Sequence, residues 1–183
     1  MSSRPYSWIA SLLLGALVLA ACSQTVPEEL SLAGDVELIA AQAEAAGVEA
    51  DLARVRAATA RFHRVEVAEA AGYEVASPCV AHLELGGMGY HFVNFGLVDL
   101  ELDPVQPEIL VYAPGPRGQL QLVAVEYAVP IAPWDALFDE APIVLGQHLH
   151  ANPDLGLYVL HAWVWRHNPA GMFEDWNPRV TCD

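Results

Sequence analysis

Histidine and one glutamate are the residues whose types and spacing could do chemistry in this chain. Six of its seven histidines, His82, His91, His148, His150, His161 and His167, fall after Pro78. His148-x-His150 is a short-range pair of the kind found in extended metal-binding segments; on a strand both imidazoles would project to one side. His161 sits in the run Leu155–His167, which is rich in aromatic and β-branched residues. There it shares a face with Val159, Trp163 and Trp165, while Leu160, Ala162 and Val164 line the other. A strand apolar on both sides is covered on both sides, and a histidine in it needs a hydrogen-bond partner or a metal. Glu126 alternates with Leu120, Leu122 and Ala124, so its carboxylate faces an apolar side and must be paired or coordinated. His91 follows Gly86-Gly87-Met88-Gly89, where the missing side chains permit close approach of another group.

Together His91, Glu126, His148, His150 and His161 form a candidate imidazole–carboxylate site for one divalent metal. Imidazole suits zinc, copper or iron, and a carboxylate moves the choice toward zinc, iron or manganese. Two or three histidines with one carboxylate could leave a position open for water, which is the catalytic arrangement. No catalytic residue is assigned on this basis. Each member also has a plainer reading. His148 and His150 fit a solvated loop, and His91 and His161 fit packed imidazoles bonded to backbone. Glu126 fits a pair with Arg166 or Arg179. His63 and Glu66, three apart, fit an exposed helix face.

Other chemistries lack support. With 8 basic against 23 acidic residues and a net charge of −15, the chain is a poor partner for nucleic acid. All eight cations are Arg. The glycine-rich stretch at 86–89 has no following Gly-Lys-Ser/Thr, so no nucleotide is expected. No Gly-x-Ser-x-Gly elbow occurs.

The elements that must position these residues read as helices first and strands after. Asp35 can cap a helix running to Ala46, with Gly47 as its stop, and Asp51 can cap a second that ends at Gly72. Leu52, Val55, Ala58, Phe62, Val65 and Ala68 recur at helical spacing. Beyond Pro78, β-like runs cover Val80–Leu85, Tyr90–Phe95, Glu108–Ala113, Gln119–Val129 and Leu155–His167. Pro114-Gly115-Pro116-Arg117-Gly118 signals a hairpin. Pro130–Pro153 reads as irregular, with a helical turn near Trp134–Phe138, and Asn168-Pro169-Ala170-Gly171 as a tight turn. This order predicts an α+β domain: two N-terminal helices packed on an antiparallel sheet or open β-barrel of about five to six strands.

The N-terminal segment reads as an address. Arg4 precedes an apolar run of 13 residues, Ile9–Ala21, which is too short to span a bilayer and fits a secretory signal. Leu19-Ala20-Ala21-Cys22 resembles a bacterial lipobox. The resemblance implies lipid on the Cys22 thiol, cleavage before it and export to a cell or outer membrane. The expected organisation is a signal peptide over 1–21, a lipid tether over 22–34 and one domain over 35–183. Cys79 and Cys182 remain, and in an oxidising compartment two leftover cysteines read as a disulfide, with free or metal-binding thiols as the alternative.

Several stretches, Gly86-Gly87-Met88-Gly89-Tyr90-His91, Val125-Glu126-Tyr127, Leu160–Trp165, Asn168–Phe173 and Trp176–Cys182, also resemble a group of exported bacterial proteins. The likeness covers roughly residues 52–182 and implies a single exported domain, with no activity attached. Two other functions fit the sequence. One is a metal-free module binding a small molecule or protein through Trp163, Trp165, Met172, Phe173 and Trp176. The other is a structural envelope lipoprotein.

Overall fold

A computed structural model describes residues 28–183, with side chains from Gly34 onward. Cys22 and the expected signal segment lie outside the described residues. The chain divides at Leu38, and the packing described below is that of the body Ile39–Asp183. Among the described residues, no helix is long and apolar enough to cross a membrane.

The first element is a single helix, α1 (Glu28–Thr59), followed by a 3-10 turn (Ala60–His63) and the short helix α2 (Val65–Ala70). Three expected boundaries therefore fail, the first being Asp35, which lies inside α1 rather than capping it. Gly47 lies inside α1 and Asp51 caps nothing, because alanine on both sides carries the helix through one glycine at a cost of only about 1 kcal/mol. Residues 28–34, expected in the tether, belong to the same helix.

Nine strands follow: β1 (Glu74–Val75), β2 (Val80–His82), β3 (Gly86–Val93), β4 (Ile109–Pro114), β5 (Leu120–Pro130), β6 (Ile143–Val144), β7 (Gln147–His148), β8 (His150–Asn152) and β9 (Leu157–Ala162). A short helix, α3 (Ile131–Asp135), follows β5. Seven strands form one antiparallel sheet, ordered β1-β3-β4-β5-β9-β8 with β2 also on β3; β6 and β7 pair separately. The sheet is open, so the barrel alternative does not hold, and its strand count exceeds the five or six expected.

The expected hairpin joins β4 to β5: the Gly115 amide donates to the Gln119 carbonyl at 2.7 Å, and Gly118 turns at φ +78°. Glycines 86–89 do not interrupt the chain; they are the first half of β3. A Cβ on Gly86 would stand 2.2 Å from the Asn177 carbonyl oxygen, and one on Gly89 2.3 Å from that of Tyr112. The missing side chains let the C-terminal segment lie against β3, where Gly87 and Asn177 exchange backbone hydrogen bonds of 3.0 and 3.1 Å. The Cys79–Cys182 disulfide ties down the same segment, with Cα atoms 5.7 Å apart.

The sheet buries a separate core on each face. One joins Leu52, Val55, Phe62 and Ala68 of the helical segment to Phe92, Leu110, Tyr112, Val125 and Tyr127. The other places Val93, Ile109, Val111, Ala124, Ala128 and Val159 beneath Trp163 and Val180 of the C-terminal segment. The β4–β5 register shifts between Val111 and Tyr112, so Val111 faces Ala124 but Tyr112 faces Leu122. This bulge corrects the expected face of Glu126: Ala124 stays beside it, whereas Leu120 and Leu122 pack on the helix side.

Candidate metal centre

The site lies on the face away from the helices, and the ladder register builds it. Glu126 of β5 stands directly opposite His161 of β9. Glu126 also pairs with Ile109 of β4, while His91 of β3 pairs with Val111, two residues further along. The three side chains therefore rise from one face of β3, β5 and β9, with β4 between His91 and the other two. Their donor atoms lie within 4.8 Å of one another. His91 Nε2 is 3.5 Å from Glu126 Oε2, and His161 Nδ1 is 3.5 Å from Glu126 Oε1. The two rings meet nearly edge to face, 5.6 Å between centroids.

The surroundings are dry. The side chains of Glu126 and His161 are 6% and 2% exposed, and that of His91 13%. Ala124 and Ala128 flank Glu126 with little bulk, leaving room for the larger groups above them. His91 Nδ1 lies 3.0 Å from Ser77 Oγ, so its other nitrogen faces the carboxylate. His161 has no such anchor: both its ring nitrogens are buried without a hydrogen-bond partner. Its Nδ1 stands 3.5 Å from oxygens of both Glu126 and Asp175, a longer approach than a well-formed hydrogen bond. A buried polar group left so is uncommon and needs a cause. The alternative partners for Glu126 do not reach it. Arg166 donates to Gln121 Oε1 at 2.9 Å and to the Arg179 carbonyl at 3.2 Å.

The electrostatics of the two imidazoles differ. Burial holds the His91 pKa below its ordinary value, Glu126 opposes that shift, and His161 adds to it. Burial also pushes His161 down, but the Glu126 and Asp175 carboxylates outweigh it, and the net direction is upward. Carboxylates that draw a proton to this ring would equally draw a metal cation, since both compete for one nitrogen lone pair.

Of the five expected ligands, three converge and two do not. His148 is exposed on β7, its Nδ1 3.4 Å from the Ala141 carbonyl. His150 is exposed on β8 and meets Asp175, with Nε2 and Oδ2 3.3 Å apart. The expectation that both project from one strand fails at Leu149. That residue is 2% exposed and hydrogen-bonds Pro142, so His148 pairs in the β6–β7 ladder and His150 in the β8–β9 ladder. The expected strand through His167 stops at Ala162; Val159 and Trp163 share the second core and the His161 ring stacks on Trp163, but Trp165, expected on the same face, packs on the helix side.

The residue not anticipated is Asp175, whose Oδ1 lies 3.5 Å from His161 Nδ1. Burial pushes its carboxyl up, and the neighbouring His161 and His150 bring the net direction below the ordinary range. The available signal was two adjacent acids, Glu174 and Asp175, between Phe173 and Trp176, in a stretch otherwise dominated by packing residues. Those aromatics are taken up by the fold: Trp163 Nε1 donates to the Glu174 carbonyl at 2.5 Å and Trp165 Nε1 to Thr59 Oγ1 at 3.1 Å.

Two imidazoles and a carboxylate are a donor set for zinc and for non-heme iron. The orphaned Nδ1 of His161, which faces Glu126, fits such an ion, and the ring proton would then sit on Nε2. No family model, curated protein or solved structure matches the chain.

Proposed function

We propose that this protein binds a divalent metal ion through His91, Glu126 and His161, in an exported domain held to a membrane by lipid on Cys22. One observation carries the metal reading: a wholly buried imidazole whose Nδ1 makes no close hydrogen bond stands beside a buried carboxylate and a second imidazole. Burying those groups without a cation costs several kcal/mol in unmet solvation, which a shared ion would recover. The donor chemistry favours zinc or iron(II), with manganese and copper next. Leu19-Ala20-Ala21-Cys22 supports the lipid anchor, and the disulfide accords with an oxidising compartment.

The test is metal analysis of the full chain purified without a histidine tag and offered each ion in turn. About one equivalent should remain after desalting. Glu126→Gln or His161→Ala should remove it, and His148→Ala should not. A wild-type chain that retains no ion ends the reading, as does loss of metal in the His148 variant alone. Mass spectrometry of the processed chain checks the anchor: lipid should be present on Cys22 and absent in Cys22→Ala.

A further inference from the structure

We propose that Asp175 is a fourth ligand of this centre, that His150 holds its outer oxygen, and that the ion enters and leaves on this side. The proposal rests on the metal reading of His91, Glu126 and His161. Its geometry is that of a carboxylate divided between two imidazoles. Oδ1 of Asp175 lies 3.5 Å from the inner His161 Nδ1, and Oδ2 lies 3.3 Å from the outer His150 Nε2. His161 Nδ1 thus stands equally far, 3.5 Å, from oxygens of Glu126 and Asp175. Of the two ring nitrogens without a close hydrogen bond, this is the one that faces oxygens. An ion received there would meet Glu126 directly and Asp175, which stands outside the group of donors within 4.8 Å, once its side chain turns inward.

The register explains why His150 is in place. It pairs with Val159, two residues before His161 on β9, and so rises from the same face. The backbone on either side of Asp175 is held as well. The Glu174 carbonyl accepts from Trp163 Nε1 at 2.5 Å, and the Trp176 carbonyl accepts from Asn168 Nδ2 at 2.9 Å. A ligand fixed on both sides loses little freedom on binding. A ligating carboxylate is commonly oriented by a further hydrogen-bonding group, which is the role His150 fills.

Asp175 also marks the way in. Its side chain is 32% exposed against 6% for Glu126 and 2% for His161. It lines an open cavity of about 340 Å³ together with Gln147, His148, His150, Phe173 and Glu174. Carboxylates and imidazoles there suit a hydrated cation. Asp175 turning between the cavity and His161 would hand the ion inward, and His150 would set how readily it turns.

Cobalt(II) substitution of the full chain tests this, because its visible spectrum reports coordination number and geometry, and a competing chelator reports affinity and release. Asp175→Asn should lower cobalt and zinc affinity by about 10–100-fold and change the cobalt spectrum. Asp175→Glu should restore part of the affinity. His150→Gln should leave the spectrum in place and speed release to the chelator severalfold. Wild-type affinity and spectrum in Asp175→Asn overturn the proposal. If that variant does not fold, an unchanged spectrum in Asp175→Glu overturns it instead. Release unaltered in His150→Gln removes the role of His150. Failure of the underlying reading looks different: the wild type then binds no cobalt, or Glu126→Gln binds it as tightly as the wild type.

Discussion

On the helix-covered face of the sheet, Tyr73, Tyr112 and Tyr127 are buried, and each hydroxyl donates to a backbone carbonyl: Pro107 at 2.7 Å, Phe62 at 2.6 Å and Pro104 at 2.7 Å. On the opposite face, His91, Glu126 and His161 are equally enclosed by aliphatic neighbours, yet His161 ends with two unpartnered nitrogens. Both faces belong to the same strands. The first satisfies its polar groups from within and is built for stability. The second leaves a demand that the chain does not meet, which is how a binding site differs from a core.

The comparison can be broken in four ways. The largest effect should come from the disulfide that ties the C-terminal segment over the second face. Cys182→Ser should lower stability by about 2–5 kcal/mol in denaturant titration. A loss near zero would mean that the Gly87–Asn177 pairing holds the segment unaided. Next, a metal ion supplied at about 100 times its dissociation constant should raise stability by about 2.7 kcal/mol. Glu126→Gln should abolish that gain, whereas a substitution on the helix face should leave it intact.

A third contrast comes from pH. Burial pushes the carboxyl of Glu108, 1% exposed at the start of β4, up to about 8, although the Ala128 amide opposes this by donating to it at 3.1 Å. A carboxyl with a folded pKa raised from 4.5 to about 8 favours folding when protonated. Its contribution is fully present below about pH 4.5 and is lost as pH rises to about 8, by at most about 1.4 kcal/mol per unit. Glu108→Gln should flatten that part of the stability–pH curve; an unchanged slope would show that Glu108 is not its source. The smallest effect is Tyr112→Phe, which should cost about 1 kcal/mol and leave metal affinity unaltered.

Much of the centre was legible because its residues sit on strands whose neighbours are apolar. His161 among Val159, Leu160 and Ala162 could only be buried; Glu126 was read as buried from its alternation with Leu120, Leu122 and Ala124, of which only Ala124 shares its face. The hairpin was legible from Pro114–Gly118, since proline and glycine there fit a turn whatever surrounds it. What periodicity could not show was its own interruption. A single bulge between β4 and β5 moved Leu120 and Leu122 to the other face, and the buried Leu149 separated two histidines that spacing alone had joined. Asp175 escaped because it lies on a loop with no period to read. The tail's path was legible only at Cys182, through the disulfide; its course over Gly86 and Gly87 is otherwise set by tertiary contact.

The two ends of the disulfide are separated by 103 positions, and the three central donors lie between them. Strands β3, β4 and β5 join neighbours in sequence and can assemble early. Pairing β9 onto β5 and closing the tail over β3 both bring together distant parts of the chain, which is slow because the entropy of loop closure is spent before contacts compensate it. Loop-closure entropy thus favours bringing His91 and Glu126 into one sheet before His161, and the proposed ligand Asp175, join them. On the metal reading proposed above, a chain caught part-way would carry half a chelate and would hold an ion only weakly.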